Sequence, residues 1–275
     1  MASSGINGMT MIEPEQPGSE IEPIVTSISP PNRFWGGWTT FGFGVAIIVV
    51  SVIVQAIIAV IFFIVQLVPM SETDFDVLDY SEFLESVDMG LLLSLSIIIS
   101  AIVCLGLIYV FIRANRGASF YEYVGFRSIS VKAVIAVVAA LIGFLVLSVL
   151  VNYVLGLPAE TDVMTDAYIT SIWPALFWIA TIIFAPLFEE VFFRGFLFEG
   201  FRYSRMGATG AVIVTSLVWA GFHMQYGLFQ IASIFVLGII LGIARYRTGS
   251  IWAPLIMHVL NNFLAMLFIT VDIGI

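Results

Sequence analysis

The chain has 275 residues, 60% hydrophobic and 11% charged, with a mean hydropathy of +1.08. A soluble globular protein carries about a quarter charged residues, so this composition belongs to a membrane protein. The formal net charge is -9 and no basic patch exists, which excludes nucleic acid as a partner.

Residues 1–32 are polar and acidic, and Pro14, Pro17, Pro23, Pro30 and Pro31 break any helix there. A flexible tail is predicted, with no secretory signal. Apolar runs follow at 38–68, 90–112, 131–156, 169–200, 208–224, 227–244 and 250–270. A helix needs about 20 apolar residues to cross the hydrocarbon, whereas a barrel strand alternates and needs about ten. These runs are continuous. The predicted fold is therefore all-α, a polytopic transmembrane helix bundle of about seven spans (six to eight). Three helices fall in 33–168, joined by acidic outer loops, and about four in 169–275. Cys104 is the single cysteine and lies in an apolar run, so it reads as a small core residue.

Charge orients the bundle. Seven acids lie between Glu72 and Asp88, and the 160–166 loop is purely acidic. Arg33, then Arg113, Arg116, Arg127 and Lys132, then Arg202 and Arg205, then Arg245 and Arg247 occupy alternate connections. By the positive-inside rule these share the cytoplasmic side, which puts the N-terminus inside, in the plasma (cytoplasmic) membrane. Arg194 is then the one basic residue left within a span. The stretch 71–88 has a weak amphipathic pattern, which predicts an interfacial cap or lid. Gly238 and Gly242 form a GxxxG in the sixth run, read as close packing within the chain.

Ionisable groups inside spans are costly and mark function. Here they are Glu189, Glu190 and Arg194 in the fourth run, His223 at the end of the fifth, and His258 with Asn262 in the seventh. At about 1.5 Å per residue, Glu189 lies roughly 20 Å from Arg202, and His223 roughly 24 Å from Gly207. His258 and Asn262 lie roughly 16 and 22 Å from Arg247, so all four reach a similar depth. Glu190 and Arg194 are i,i+4 and can pair, which leaves Glu189 turned away for chemistry. His258 and Asn262 are also i,i+4, and Ser216 and His223 are i,i+7. Pro186 frees a carbonyl one turn before Glu189, allowing a bend or a water pocket. Asn261 and Trp219 read as packing and pocket wall.

The run Glu189-Glu190-x-x-x-Arg194-Gly195, the pair Trp219-x-x-x-His223 and the pair His258-x-x-x-Asn262 resemble the three motifs of the CAAX-protease and bacteriocin-processing family. The resemblance covers 169–270, and Trp219 stands where members often carry Phe. It implies an intramembrane endopeptidase acting on a membrane-associated peptide or protein, of prenylated CAAX type or another. Glu189, helped by His223, would activate water, and His258 and Asn262 would stabilise the oxyanion. Glu190 and Arg194 would support them. The resemblance admits both a metal-free glutamate mechanism and a metal-dependent one. Glu189, His223 and His258 would suffice for a divalent ion such as zinc. The HExxH spacing is absent and does not compel zinc, so the metal-free form is the reading taken and no cofactor is firmly predicted. Two alternatives compete. One is a non-catalytic immunity or chaperone-like membrane protein; the other is a transporter, disfavoured because the first half holds almost no buried charge.

Overall fold

The computed structural model describes residues 34–67, 87–115, 118–156 and 163–273. The expected tail at 1–32 lies outside the described residues. So does the expected amphipathic segment at 71–88, except for Val87 and Asp88. Every described element is helical.

Each of the seven apolar runs is a helix. Helix α1 covers Gly37–Leu67, α2 Met89–Ala114, and α3 is a short turn at Phe120–Val124. Helix α4 covers Val131–Leu155 and α5 Val163–Ile169. A long helix, α6, runs over Pro174–Arg202. Then come α7, Gly207–Gly221, α8, Leu228–Thr248, and α9, Trp252–Asp272. Six are long and apolar enough to cross a membrane, and α7 is shorter. At 15 residues, α7 is about 22 Å long and stops short of a full crossing of about 30 Å. That shortfall places His223, half-buried, in the turn that follows α7.

Helix α6 is the axis of the fold. Residues 190–201 are buried on every face, including the charged side chains of Glu190, Arg194 and Glu199. Around it stand α1, α2, α3, α7, α8 and α9. Helices α1 and α4 are peripheral: Val45, Ile53, Ile57, Ile135, Val146 and Leu150 are exposed, as lipid-facing positions would be. The pair Gly238 and Gly242 lets α8 approach α7 within the chain. A Cβ at Gly238 would come 2.9 Å from Ser216 Cβ, and one at Gly242 would come 2.8 Å from Val212 Cγ1. Ser216 therefore serves this crossing, and its hydroxyl donates to the Val212 carbonyl at 2.7 Å.

The basic groups gather at one end. The indole N–H of Trp35 donates to the Phe111 carbonyl at 2.9 Å, tying the start of α1 to the end of α2. Thr40 packs on Gly200, near the end of α6. Gly125 ends α3 at φ +85°, and its carbonyl accepts from Ile251 N–H at 2.9 Å. Tyr123 accepts from Trp35 N–H at 3.4 Å, and burial pushes its phenol well above the usual value, so it stays neutral. The other end is fixed by Asp88. It caps α2 by accepting from Leu91 N–H at 2.7 Å, and reaches Ile172 N–H at 3.0 Å just before α6.

One expectation is corrected. Arg245 is not a loop residue: it lies in the last turn of α8 and is 2% exposed. It bonds Glu199 at 2.6 Å, the Arg194 carbonyl at 3.1 Å and the Val124 carbonyl at 3.2 Å. Glu199 also meets Arg202 at 2.8 Å. A guanidinium with five donors in a fixed fork can join three elements at once, which makes this burial tolerable. Among the described residues, Arg194 is thus one of two deeply buried arginines.

Candidate active site

Pro186 sets the local geometry. It follows Ala185, where α6 returns to α-helical pitch between two π-helical stretches, Ala180–Phe184 and Glu190–Leu197. Proline has no N–H to give, and a π turn moves the hydrogen-bond register by one residue. Ala185 N–H accordingly reaches back to the Ala180 carbonyl. The next carbonyl, Thr181, would need the N–H of residue 186, and that residue is Pro186. Asn262 on α9 meets the need, donating its side-chain N–H to Thr181 O at 2.9 Å. The same amide's oxygen accepts from Asn261 at 3.2 Å.

The second π stretch begins at the two glutamates. Glu190 and Arg194 are wholly buried and pair at 3.0 Å. Arg194 also donates to the Gly238 carbonyl at 3.3 Å and lies over the Trp219 ring, 4.5 Å from its centroid. The oxygen of Glu190 that meets Arg194 also meets His258 Nδ1, at 2.8 Å. A carboxylate accepts, so Nδ1 carries the proton and Nε2 is turned to the other side. There it lies 3.9 Å from Glu189 Oε2. Glu190 and Arg194 therefore do more than neutralise each other, because they fix the tautomer and orientation of His258.

Glu189 projects the other way, into a cavity. Its side chain is 20% exposed, against 0% for Glu190, and Oε2 accepts a short hydrogen bond from the Trp219 indole N–H. Trp219 is thus more than a wall. His223 follows α7 in the turn at 222–227, and its Nδ1 bonds the Trp219 carbonyl at 2.8 Å. With Nδ1–H committed to a carbonyl, Nε2 is the free ring nitrogen. Its ring stacks on Tyr226 at 6.1 Å.

Glu189, His223, His258 and Asn262 line one cavity of about 290 Å³, together with Thr181, Trp219 and Asn261. Similar depth along three helices has become convergence on one space. Asn261, read from sequence as packing, shares that wall. Glu189, Trp219 and His223 also border a second cavity of about 320 Å³, whose walls include Ile48, Val52, Ile97 and Phe188 of α1, α2 and α6. A carboxylate and two imidazoles on a cavity within an apolar bundle can move protons to and from a bound polar group. Among the described residues no three His, Cys, Asp or Glu side chains converge as a metal-holding group. Glu189, His223 and His258 do not form a ligand set in this arrangement.

Thr181, Glu199 and Arg245 escaped sequence reasoning. The signal for Thr181 was Pro186 itself, whose missing N–H orphans a carbonyl. For Arg245 it was Glu199, a carboxylate near the end of a span that needs a partner.

Comparison with known proteins agrees with this region. Residues 171–264 match the family model described as type II CAAX prenyl endopeptidase Rce1-like. All six polar site residues fall inside the match. Over 125 residues the chain is 36% identical to an Escherichia coli protein described as "Uncharacterized 24.3 kDa protein". That alignment takes in 43% of this chain and 56% of the relative, so the chain spans about half the length of the curated protein it matches. No solved structure matches.

Proposed function

Through its Rce1-like domain at 171–264 this chain belongs to the CAAX-protease family, and from that premise we propose that it is an intramembrane endopeptidase working by glutamate-activated water. The observation that carries the reading is the shared cavity: Glu189 of α6, His223 of the turn after α7, and His258 and Asn262 of α9 line one space within the bundle. The substrate is a membrane-associated peptide or protein, of prenylated CAAX type or another. The membrane is the cytoplasmic one, with the basic end of the bundle and the N-terminus inside.

The chemistry follows from what each group can accept or donate. Glu189 takes a proton from a water molecule, and the resulting hydroxide adds to the scissile carbonyl carbon. His223, with Nε2 free, assists that transfer. The tetrahedral oxyanion meets donors on the facing wall. Asn262 has a second amide N–H beyond the one used on Thr181, and His258 offers Nε2–H when protonated. The proton held by Glu189 then passes to the leaving nitrogen, the C–N bond breaks, and a carboxylic acid and an amine separate, the acid giving its proton to the amine. Glu190 and Arg194 hold His258 in place throughout.

The test compares membrane peptides in cells carrying wild-type or Glu189→Gln protein. Accumulation of an uncleaved precursor in the variant, with the protein still present at normal level, supports the reading. Identical peptide profiles, with full biological activity retained by Glu189→Gln, would overturn it in favour of a non-catalytic immunity or chaperone role.

A further inference from the structure

A separate surface lies outside the site and its cavities. On α9, Trp252, Leu255, Ile256, Val259, Leu260 and Phe263 recur at helical spacing and form one stripe. Ile182, in the first π-helical stretch of α6, closes the other side. Between them runs a groove of about 410 Å³ lined by apolar side chains alone. None of these residues borders either cavity at Glu189. Ile182, Ile256, Val259 and Leu260 are half-buried, which marks a cleft and not a flat lipid-facing surface.

The length and walls of the groove decide what fits it. From Trp252 to Phe263 the stripe rises about 16 Å. That is close to half of the roughly 30 Å hydrocarbon core, the depth of one leaflet. A crossing helix would need a seat about twice as long. Helix seats in membranes are also built on Gly, Ala, Ser and Thr, which let backbones approach, and this groove has only large side chains. A single acyl chain needs length, apolar walls and no hydrogen bonds.

The head of the groove is basic. Ile251 N–H donates to the Gly125 carbonyl at 2.9 Å, and Ser250 Oγ donates to the Arg127 carbonyl. Trp252 meets the Phe126 ring edge-on at 5.7 Å. These contacts pin the 125–127 segment to the start of α9, and Arg247 lies just before it in the last turn of α8. Arg127 and Arg247 are both exposed, and neither makes an ion pair among the described residues. Glu199, the buried acid at that end, is already matched by Arg245 and Arg202. Trp252 stands half-exposed at the top of the stripe, as an interfacial aromatic does.

We propose that this groove binds one anionic phospholipid of the leaflet at the basic end, with an acyl chain along α9 and the phosphate on Arg127 and Arg247. A guanidinium fork takes a phosphate through two parallel N–H···O bonds. Anionic lipid belongs to the cytoplasmic leaflet, the side to which the positive-inside rule assigns this end. A chain seated there backs the helix whose inner face carries His258 and Asn262. The lipid site stands independently of the peptidase reading.

The test reconstitutes the full chain in phosphatidylcholine vesicles. Electron paramagnetic resonance then reads how much of a phospholipid, spin-labelled on one acyl chain, is held immobile. Labelled phosphatidylglycerol is retained severalfold more than labelled phosphatidylcholine. Arg127→Gln with Arg247→Gln abolishes that preference, whereas Arg113→Gln with Lys132→Gln removes the same charge from the same end and leaves most of it. All four positions are exposed, and helix content and unfolding temperature check the fold of both variants. Val259→Phe, which fills the groove, also lowers retention; Val146→Phe, on the exposed face of α4, does not. Equal retention of the two lipids by the wild type, or equal effects of the two charge pairs, would overturn the proposal. So would displacement of the labelled lipid by excess glycerol phosphate, which would make this a site for free phosphate. Conversion of a dimer to a monomer by Val259→Phe, read by light scattering, would make the groove an interface between copies and overturn it as well.

Discussion

Asn262 donates to the backbone carbonyl of Thr181 at 2.9 Å, across the gap between α9 and the first π-helical stretch of α6. The carbonyl is free because Pro186 has no N–H and Ala185 bonds Ala180. The two residues are coupled by the proline, and removing it should uncouple them. Asn262→Ala leaves a buried carbonyl unpaired and should lower stability by about 1 to 2 kcal/mol. In a Pro186→Ala background, residue 186 regains an N–H in the i−5 register, so the same substitution should cost much less. Thermal unfolding of the four proteins in detergent measures the coupling; equal losses in both backgrounds would refute it.

Glu189 and Arg194 should fail in different ways. Glu189→Gln keeps an oxygen for the Trp219 indole, so helix content and unfolding temperature should stay near wild type. Cleavage should fall by about 10²-fold or more, as for loss of a general base. Arg194→Ala strips a wholly buried carboxylate of its cation and should cost about 3 to 5 kcal/mol. The variant should be recovered in low yield and unfold early. Equal expression and stability of the two variants would contradict the division of labour.

Trp219→Phe isolates the indole N–H. The ring can still cover Arg194, but Glu189 loses one donor. A single hydrogen bond of about 1.4 kcal/mol corresponds to about tenfold in rate. Cleavage by Trp219→Phe should remain within about tenfold of wild type, and a steady-state assay decides it. Complete inactivation would assign the indole an indispensable part.

The second buried cluster predicts a purely structural defect. Arg245→Met leaves Glu199 with Arg202 alone and frees the Val124 and Arg194 carbonyls. Stability should drop by about 3 to 5 kcal/mol, and adding Glu199→Gln should recover part of it. Arg245→Lys should not restore the wild-type value, because an ammonium cannot fork to three acceptors. Unfolding temperatures of the single and double variants check this.

Much of the site was legible in sequence because charge is conspicuous in an apolar chain. Glu189, Glu190, Arg194, His223 and His258 could be found, and their depth compared, from helical rise alone. The facing of Glu190 and Arg194 followed from their spacing. Other features left no such trace. A π turn adds a residue per turn without altering composition, so the register change that orphans Thr181 shows only in backbone geometry. Arg245 sits where a span meets a basic connection, and its burial depends on Glu199, 46 positions earlier on another helix. Which side of its ring His258 presents was fixed by a contact between spans, not by spacing.

The two buried arginines impose a schedule on biosynthesis. Arg194 and its carboxylate partner sit on the same helix, one turn apart, so α6 can leave the translocation channel already neutralised there. Glu199 is different. Arg202 can shield it from the outset, but its tighter partner belongs to α8 and has not yet been synthesised when α6 emerges. The central helix must therefore wait, incompletely matched, until the α7–α8 hairpin arrives. A ribosome stalled before residue 245 would leave Glu199 paired with Arg202 alone.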